Sequence, residues 1–319
     1  MGSTYKSASK SHVGMVRQVN EDACLDLPEN RLWVVADGMG GHAAGDYVSS
    51  LIVDSLRNVP LGRSLDEYTA ALRNDLVRIN AAVREETAHR GVTMMGSTVV
   101  LLAARGLRGV CLWAGDSRLY RLRDGVLEGI SRDHSYVQDL QDSGLLSEAE
   151  ARVHPRANIV TRAIGVEAHL NLATVDLLIA PGDTYLLCSD GLNKTVEDHE
   201  IREVLGHDTP DEIVRSLVHL GLNRGAPDNI TAIVVTFTPG AAGAGGATAS
   251  VASLPARGAG AAPVTPKGAS PTPLPAACFS WWLLPVLSNL SFFQRMQGFA
   301  TQAERESIGS IEGVPLGYP

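Results

Sequence analysis

Short apolar runs alternate with polar turns along the first three quarters of the chain. Runs of β-branched and aliphatic residues bounded by Gly, Pro and Asp predict strands. These runs are Arg31–Ala36, Ser97–Ala103, Val110–Ala114, Leu119–Leu122, Leu170–Ile179, Thr184–Cys188 and Ile230–Phe237. The dipeptide Asp124-Gly125 lies between two such runs and predicts a hairpin turn.

Other segments repeat their apolar positions every three or four residues, which predicts helices. One follows Gly41, and a second begins at Ser64, which forms a predicted capping box with Glu67. A third begins at Thr209-Pro210, a cap residue followed by proline at the first helical position. Helices early and late, with hairpin-rich strands between them, favour antiparallel sheets covered by helix pairs over a parallel α/β sheet.

The composition changes abruptly after Phe237, and this change predicts three parts. Residues 1–237 are predicted to form one folded domain, because no linker interrupts them. Residues 238–277 are mostly Ala, Gly, Pro, Ser and Thr and predict a flexible linker. Residues 278–319 form an apolar, aromatic tail, and we expect its part 278–299 to dock on a membrane or a protein. A membrane-spanning helix is disfavoured because Pro285 interrupts the apolar run.

Charge and cysteine content exclude several classes of protein. The chain has 319 residues, 45% of them hydrophobic, and a formal net charge of −8. Such a balance, without a Lys/Arg run, argues against nucleic-acid binding. The four cysteines are scattered, so a disulfide scaffold and a thiolate zinc site are both disfavoured. With no signal peptide at its start, the chain is expected to be cytoplasmic, with membrane association through the tail as an alternative.

Candidate chemistry lies where predicted strands meet aspartates. Apolar strands run directly into Asp37, Asp116 and Asp190, and Asp228 immediately precedes the last strand. Any one of them is ordinarily a turn residue, but strands buried on both faces would gather their carboxylates at the rim of a core. Carboxylates without His or Cys are ligands for Mg²⁺ or Mn²⁺, and two such ions can activate water for attack on a phosphate ester.

A cation for the substrate phosphate is the remaining requirement. Arg17 lies just before the acidic residues Glu21 and Asp22 and can bind phosphate oxygens through two hydrogen bonds. The glycines after Asp37 follow the spacing of neither a P-loop nor a dinucleotide fingerprint, so a nucleotide-binding interpretation is rejected. A tight turn and close backbone approach to a metal explain them.

Six spaced motifs together resemble the bacterial branch of the metal-dependent Ser/Thr protein phosphatases, the type 2C family. The resemblance covers about residues 8–237. The motifs are Arg17-x-x-Asn20-Glu21-Asp22, Val35–His42, Gly96-Ser97-Thr98, Ala114–Arg118, Ser189–Leu192 and Asp228–Thr231. The resemblance implies an α+β fold in four layers, a central β-sandwich of two antiparallel sheets flanked by pairs of α-helices, with a binuclear metal centre at one end.

The resemblance also implies roles for individual residues. Asp37 would bridge two ions, Mn²⁺ or Mg²⁺, and the Gly38 carbonyl would bind the second of them. Asp190 and Asp228 would complete the shell of the first ion, and Asp22 would support the second. The remaining two assignments are Asp116 as ligand of a third, weaker metal and Arg17 as the phosphate contact.

The flap and the general acid are less well defined by the resemblance. Residues 134–165 would form a mobile flap beside the site, with Asn158 as a candidate contact of the third metal. Some family members carry a His directly after the Asp-Gly pair, a candidate acid for the leaving alkoxide. Met39 stands there in this chain, and Met cannot donate a proton. His42 is the nearest substitute. A purely capping or structural role for His42 is the alternative, and a metal-bound water could then serve as the acid.

The function implied is hydrolysis of phosphoserine and phosphothreonine in proteins, opposing a bacterial Ser/Thr kinase. Two alternatives stay open at this stage. A metal-dependent phosphoesterase acting on small molecules would need the same carboxylates, and activity on nucleotides would separate it. A non-catalytic binding module on the same fold would normally lack ligand residues, and Arg17, Asp37, Asp190 and Asp228 are all present.

Overall fold

The computed structural model of the protein describes residues 4–40, 44–207 and 209–238. Three parts of the sequence predictions lie outside these residues: His42, the tail, and all of the predicted linker except Thr238. What the sequence predicts for them stays a prediction. In the described ranges, no helix combines the length and the apolar character that crossing a membrane requires.

The described chain forms the following elements in order. They are β1 (Thr4–His12), β2 (Asp22–Leu27), β3 (Leu32–Met39), α1 (Ala44–Arg57), α2 (Leu65–Arg90), β4 (Gly96–Ser97), β5 (Val99–Arg105), β6 (Arg108–Ala114), β7 (Arg118–Arg123), β8 (Val126–Gly129), α3 (Tyr136–Asp142), α4 (Glu148–Arg152), β9 (Ala173–Leu178), β10 (Thr184–Cys188), α5 (Asp190–Asn193), α6 (Asp198–Leu205), α7 (Pro210–Asn223) and β11 (Ile230–Thr238).

Two antiparallel sheets form the centre of the fold. The first has the strand order β1-β11-β10-β7-β8, and the second has the order β2-β3-β5-β6-β9, with β4 paired to β3. Helices α1 and α2 pack on the second sheet, while α5, α6 and α7 pack on the first. The α+β class and the two-sheet sandwich with flanking helices are therefore confirmed.

Three apolar layers hold these sheets and helices together. Trp33 and Val35 point from β3 into the space between the two sheets, where they join Tyr185, Leu187 and residues of β11. Leu32, Val34 and Ala36 of the same strand point the other way, toward α1 and α2. A strand buried on both faces has no polar side, which is why β3 is a continuous apolar run in the sequence. The third layer fills the space between the first sheet and its helices.

The helix caps agree with the sequence in one case and differ in part in another. Thr209 and Glu212 form the complete capping box at the start of α7, with Pro210 in the first turn. At α2 the Ser64 hydroxyl accepts from the Glu67 amide at 3.1 Å, as predicted. The Glu67 carboxylate instead accepts from the backbone N–H of Arg63 at 2.9 Å, one residue before the cap. Only half of the predicted box forms there, because the Glu67 carboxylate binds the Arg63 amide instead of the Ser64 amide.

Candidate active site

The aspartates that follow or precede the buried strands collect at one end of the sandwich. Asp37 of β3 lies directly opposite Asp22 of β2 in the strand register. β3 and β6 both pair antiparallel to β5, so Asp37 and Asp116 leave the second sheet at the same end. Asp190 follows β10 and Asp228 precedes β11, its antiparallel neighbour, so these two share an end of the first sheet. The predicted gathering of these carboxylates is what the fold produces.

A hydrogen bond across the two sheets joins both halves of the cluster. The hydroxyl of Ser189, which precedes Asp190, donates to Oδ2 of Asp22 at 2.8 Å. The other carboxylate oxygen of Asp22, Oδ1, is buried and has no hydrogen-bond partner. Burial raises the pKa of Asp22 to about 7, and the negative charges of Asp190 and Asp228 add to this effect. An unpartnered oxygen of this kind is costly unless something positive approaches it.

The carboxylate of Asp37 feels the negative charge of all four other aspartates of the cluster. Burial raises its pKa well above the usual value, and the charges of Asp22, Asp190, Asp116 and Asp228 raise it further. Its backbone is fixed by Thr98, whose amide donates to the Asp37 carbonyl at 2.8 Å. The central position of Asp37 among four like charges is what a residue bridging two cations requires.

Asp116 lies deeper than the others and faces the flap. The residue is 4% exposed, and burial together with the charge of Asp190 raises its pKa to about 7. The ammonium group of Lys194 opposes this shift from 3.8 Å. Lys194 Nζ also contacts Asp190 Oδ2, and it donates to the flap residue Asn158 at 2.8 Å. Asn158, which the sequence suggested as a contact of the third metal, therefore contacts the Lys194 ammonium in this structure.

Arg17 lies on the opposite side of the cluster. Its Nη2 donates to Asp228 Oδ2 at 2.8 Å, and the two side chains are 52% and 38% exposed. Exposed ion pairs of this kind stabilise a protein by no more than about 1 kcal/mol, so opening the pair costs little. Arg17 and Lys194 thus balance part of the negative charge of the cluster from two sides.

Gly38 allows the helix α1 to lie directly against the end of β3. A Cβ atom at Gly38 would be 2.2 Å from the Gly45 carbonyl oxygen and 2.6 Å from that of Glu21. The Gly38 amide donates to the same Glu21 carbonyl at 3.1 Å. A side chain at this position would separate the end of β3 from α1 and from Glu21, the residue before β2.

A cavity of about 330 Å³ opens beside the cluster, between the flap and helices α5 and α6. Asp116, Asp190 and Lys194 form its inner wall, and Gln138 and Asn158 contribute from the flap. The flap carries the short helices α3 and α4, which the sequence did not predict because their runs are too short to show a period. Substrate could approach the carboxylates through this space.

His134 lies beside the cluster but is a poor proton donor. His42 lies outside the described residues, so its predicted role is not tested. His134 adjoins Asp116 through Gly115, whose amide donates to the His134 Nδ1 at 3.2 Å. Burial, aided by the charge of Arg162, lowers the pKa of His134 to about 4, so the ring is neutral near pH 7 and a weak source of protons.

The donor set fits a hard divalent cation in its chemistry. Among the described residues, no three His, Cys, Asp or Glu side chains converge enough to hold an ion. The carboxylates instead contact the protein's own cations, Arg17 and Lys194. Oxygen ligands of high net charge, one of them the unpartnered Oδ1 of Asp22, suit Mg²⁺ or Mn²⁺. Binding would require Asp190 and Asp228 to turn from these cations.

Sequence reasoning missed two residues that organise this site. Lys194 lies four positions after Asp190, and an acid–base pair at that spacing on a helix was a signal available in the sequence. Asn229 is 5% exposed and bridges three backbone groups of the loop that carries Arg17. Only the fold places Asn229 beside that loop, since more than two hundred residues separate them.

Comparisons with known proteins agree with this geometry. The chain is 39% identical over 232 residues to the serine/threonine protein phosphatase PstP of Mycobacterium tuberculosis, which covers 71% of this chain but only 44% of that relative. Among solved structures it matches PppA, "a key regulatory component of T6SS in Pseudomonas aeruginosa", with 65% identity and a TM-score of 0.70, covering 74% of this chain and 99% of that one.

A structure of the PstP catalytic domain in complex with two manganese ions is similar at 34% identity and a TM-score of 0.66, covering 74% of this chain and 99% of that one. The family model described as protein phosphatase 2C matches residues 9–221, which include every aspartate of the cluster except Asp228. The chain therefore belongs to the protein phosphatase 2C family.

Proposed function

We propose that the chain hydrolyses phosphoserine and phosphothreonine in proteins and depends on divalent cations, Mn²⁺ or Mg²⁺, to do so. The observation that carries this proposal is the cluster of five aspartates at one end of the sandwich, in which burial and the neighbouring negative charges raise the pKa of Asp22, Asp37 and Asp116. Membership of the protein phosphatase 2C family and the names of the similar proteins support the same activity. The two manganese ions in the PstP structure support a two-metal site.

Within this proposal the aspartates divide the work of holding the cations. Asp37, which lies among the other carboxylates, would be shared by two ions, with the Gly38 carbonyl as a further ligand of the second. Asp190 and Asp228 would hold the first ion, Asp22 would support the second and Asp116 would hold a third. When bound, divalent cations neutralise phosphate charge and activate water for attack on the ester.

The chain's other groups bind and orient the substrate. Arg17 would leave Asp228 and donate two hydrogen bonds to the phosphate oxygens, which would orient the phosphate. His42 remains our candidate for protonating the leaving alkoxide, since Met39 has no proton to donate.

The proposed partners are phosphoproteins and the Ser/Thr kinase that phosphorylates them. The 65% identity to PppA, whose name assigns it to T6SS regulation, makes phosphoproteins of such a secretion system the first substrates to test. We propose a cytoplasmic location, with membrane or protein docking through residues 278–299.

The test is metal-dependent release of phosphate from a phosphothreonine peptide by the full chain. We expect activity with Mn²⁺, loss of activity in EDTA and recovery when Mn²⁺ is restored. Asp37→Asn should lose nearly all turnover while remaining folded, since it keeps the shape of the side chain and removes the charge. Asp176→Asn is the matched control, because Asp176 is exposed on β9 and does not belong to the carboxylate cluster.

Two outcomes would contradict the proposal. Hydrolysis of the peptide by Asp37→Asn at the wild-type rate would remove the carboxylate cluster from the mechanism. Rapid hydrolysis of nucleotides or sugar phosphates without any hydrolysis of the phosphopeptide would assign the same site to a small-molecule phosphoesterase.

A further inference from the structure

The loop between β1 and β2 presents apolar side chains to solvent. Met15 and Val16 are each 63% exposed, and Val19 is 51% exposed. Single exposed apolar residues are common on protein surfaces, but three within five positions form a local surface that water solvates poorly. We call these three side chains the apolar rim.

The backbone beneath the apolar rim is tied to the core. The Asn229 side chain accepts from the Glu21 amide at 2.8 Å and donates to the carbonyls of Val13 at 2.9 Å and Val19 at 3.0 Å. The Met15 amide donates to the Ala226 carbonyl at 2.9 Å. These bonds come from the segment before β11 and fix the loop at both of its ends.

Gly14 brings the loop even closer to the same segment. Its φ is +84°, in the left-handed region that favours glycine, and a Cβ atom there would be 2.2 Å from the Asp228 carbonyl oxygen. A loop held this firmly cannot fold its apolar side chains inward to hide them from water. The apolar rim is therefore a preformed surface, and a partner binding to it loses little entropy in ordering the loop.

The position of the rim indicates what would cover it. Arg17 lies in the sequence between Val16 and Val19, and its guanidinium contacts Asp228 of the carboxylate cluster. A phosphate held by Arg17 necessarily brings the neighbouring residues of its own polypeptide to the loop. From Val13 to Val19 the loop contains no acidic residue, and its one cation, Arg17, faces the cluster. Flanking residues that are apolar match this surface better than charged ones do.

We infer that Met15, Val16 and Val19 bind apolar side chains next to the phosphorylated serine or threonine of a protein substrate, and so select among substrates. This inference rests on the proposed function. It concerns contacts with residues that flank the phosphorylated residue, and a small phosphate ester has no such residues. The rim should therefore affect the hydrolysis of peptides and leave that of small esters unchanged.

The test compares three substrates with the full chain in Mn²⁺. One is para-nitrophenyl phosphate, which has no flanking residues. The other two are phosphothreonine peptides identical except for Leu or Ser on both sides of the phosphothreonine. We expect wild-type kcat/KM to be higher for the Leu peptide by about three- to tenfold, the range expected for partial burial of one or two aliphatic side chains.

The variant is Val16→Ser with Val19→Ser, which removes apolar surface without adding charge beside Arg17. It should lose the preference for the Leu peptide and keep wild-type kcat/KM for para-nitrophenyl phosphate. The matched control is Val126→Ser: Val126 is 65% exposed and lies in β8, beyond the far end of β7 from Asp116. Six strand residues place it about 20 Å from the site, so the control should keep the preference.

Each contrary result has a distinct meaning. An undiminished Leu preference in the double variant, or an equal loss in Val126→Ser, would overturn the docking surface while leaving the proposed function intact. A rise in para-nitrophenyl phosphate hydrolysis in the double variant would also overturn it, because another part of the chain would then be covering the rim. If wild-type protein hydrolyses none of the three substrates, the proposed function fails and takes this inference with it.

Discussion

Removing the charge of Asp116 should stabilise the protein when no metal is present. Asp116 is 4% exposed, and burial together with the charge of Asp190 raises its pKa from 3.8 to about 7. The folded protein therefore keeps this proton at pH values where the unfolded chain has lost it. Raising the pH from about 4 to about 7 consequently lowers the free energy of unfolding, and Asp116→Asn escapes this loss because its amide has no charge.

The size of the effect follows from the shift in pKa. A shift of about three units corresponds to about 4 kcal/mol at pH 8. This value is an upper limit, because Asp116 titrates together with the neighbouring carboxylates and the energy belongs to the group as a whole. The buried amide of asparagine needs new hydrogen-bond partners, which costs about 1–3 kcal/mol. A net gain of about 2 kcal/mol remains, which raises Tm by about 4–8 °C for a domain of this size.

Thermal unfolding in EDTA measures this gain directly. Asp116→Asn should unfold at a higher temperature than wild type at pH 8, and the gain should shrink to less than half at pH 5, where Asp116 is protonated in the folded protein. Asp176→Asn, an exposed carboxylate on β9, should change Tm little at either pH. Saturating Mn²⁺ should then stabilise wild type more than the variant.

Two results would refute this reasoning. Equal Tm values for wild type and Asp116→Asn in EDTA at pH 8 would mean that burial and Asp190 do not strain this carboxylate. A gain of the same size at pH 5 and pH 8 would mean that the variant acts through packing rather than through charge.

The two cations at the edges of the cluster carry two further predictions. Arg17→Ala should raise KM for a phosphopeptide by about ten- to a hundredfold with a smaller change in kcat. Arg17→Lys should restore only part of the affinity, since lysine cannot make both hydrogen bonds. An unchanged KM in steady-state kinetics would leave Arg17 as a surface residue. Lys194→Met should bind Mn²⁺ several-fold more tightly by calorimetry, because Lys194 contacts Asp190 and lies 3.8 Å from Asp116. The control Lys10→Met, at an exposed position of β1, should bind Mn²⁺ as wild type does. Weaker binding in Lys194→Met would contradict competition between the ammonium and the metal.

The fold was predictable where burial gives a strand its composition. β3 and β10 are covered on both faces, so they appear in the sequence as unbroken apolar runs, and Thr184–Cys188 has the predicted bounds. The edge strand β1 was missed because its residues Thr4–His12 include only two apolar side chains, Tyr5 and Ala8. Pairing with β11, and not a local pattern, makes this segment a strand.

The short helices beside the site were missed for a different reason. α3, α4 and α5 have four to seven residues, fewer than two turns, so a period of 3.6 cannot be recognised in them. β2 did carry a signal, since Ala23, Leu25 and Leu27 alternate with polar or less apolar residues. That alternation is short and begins in the acidic motif, which drew the interpretation toward chemistry.

The carboxylates themselves were predictable because like charges at the ends of buried strands are rarely accidental. What surrounds them was not, because the contacts that matter join distant segments. Lys194 reaches both the cluster and Asn158 of the flap, while Asn229 fixes the loop that carries Arg17 and the apolar rim. Lys194 thus ties the flap to the carboxylates, and Asn229 ties the exposed loop to the segment before β11. A divalent cation bound by Asp190 would repel the ammonium of Lys194 and so weaken its hydrogen bond to Asn158 of the flap, and metal binding and access to the cavity should therefore change together.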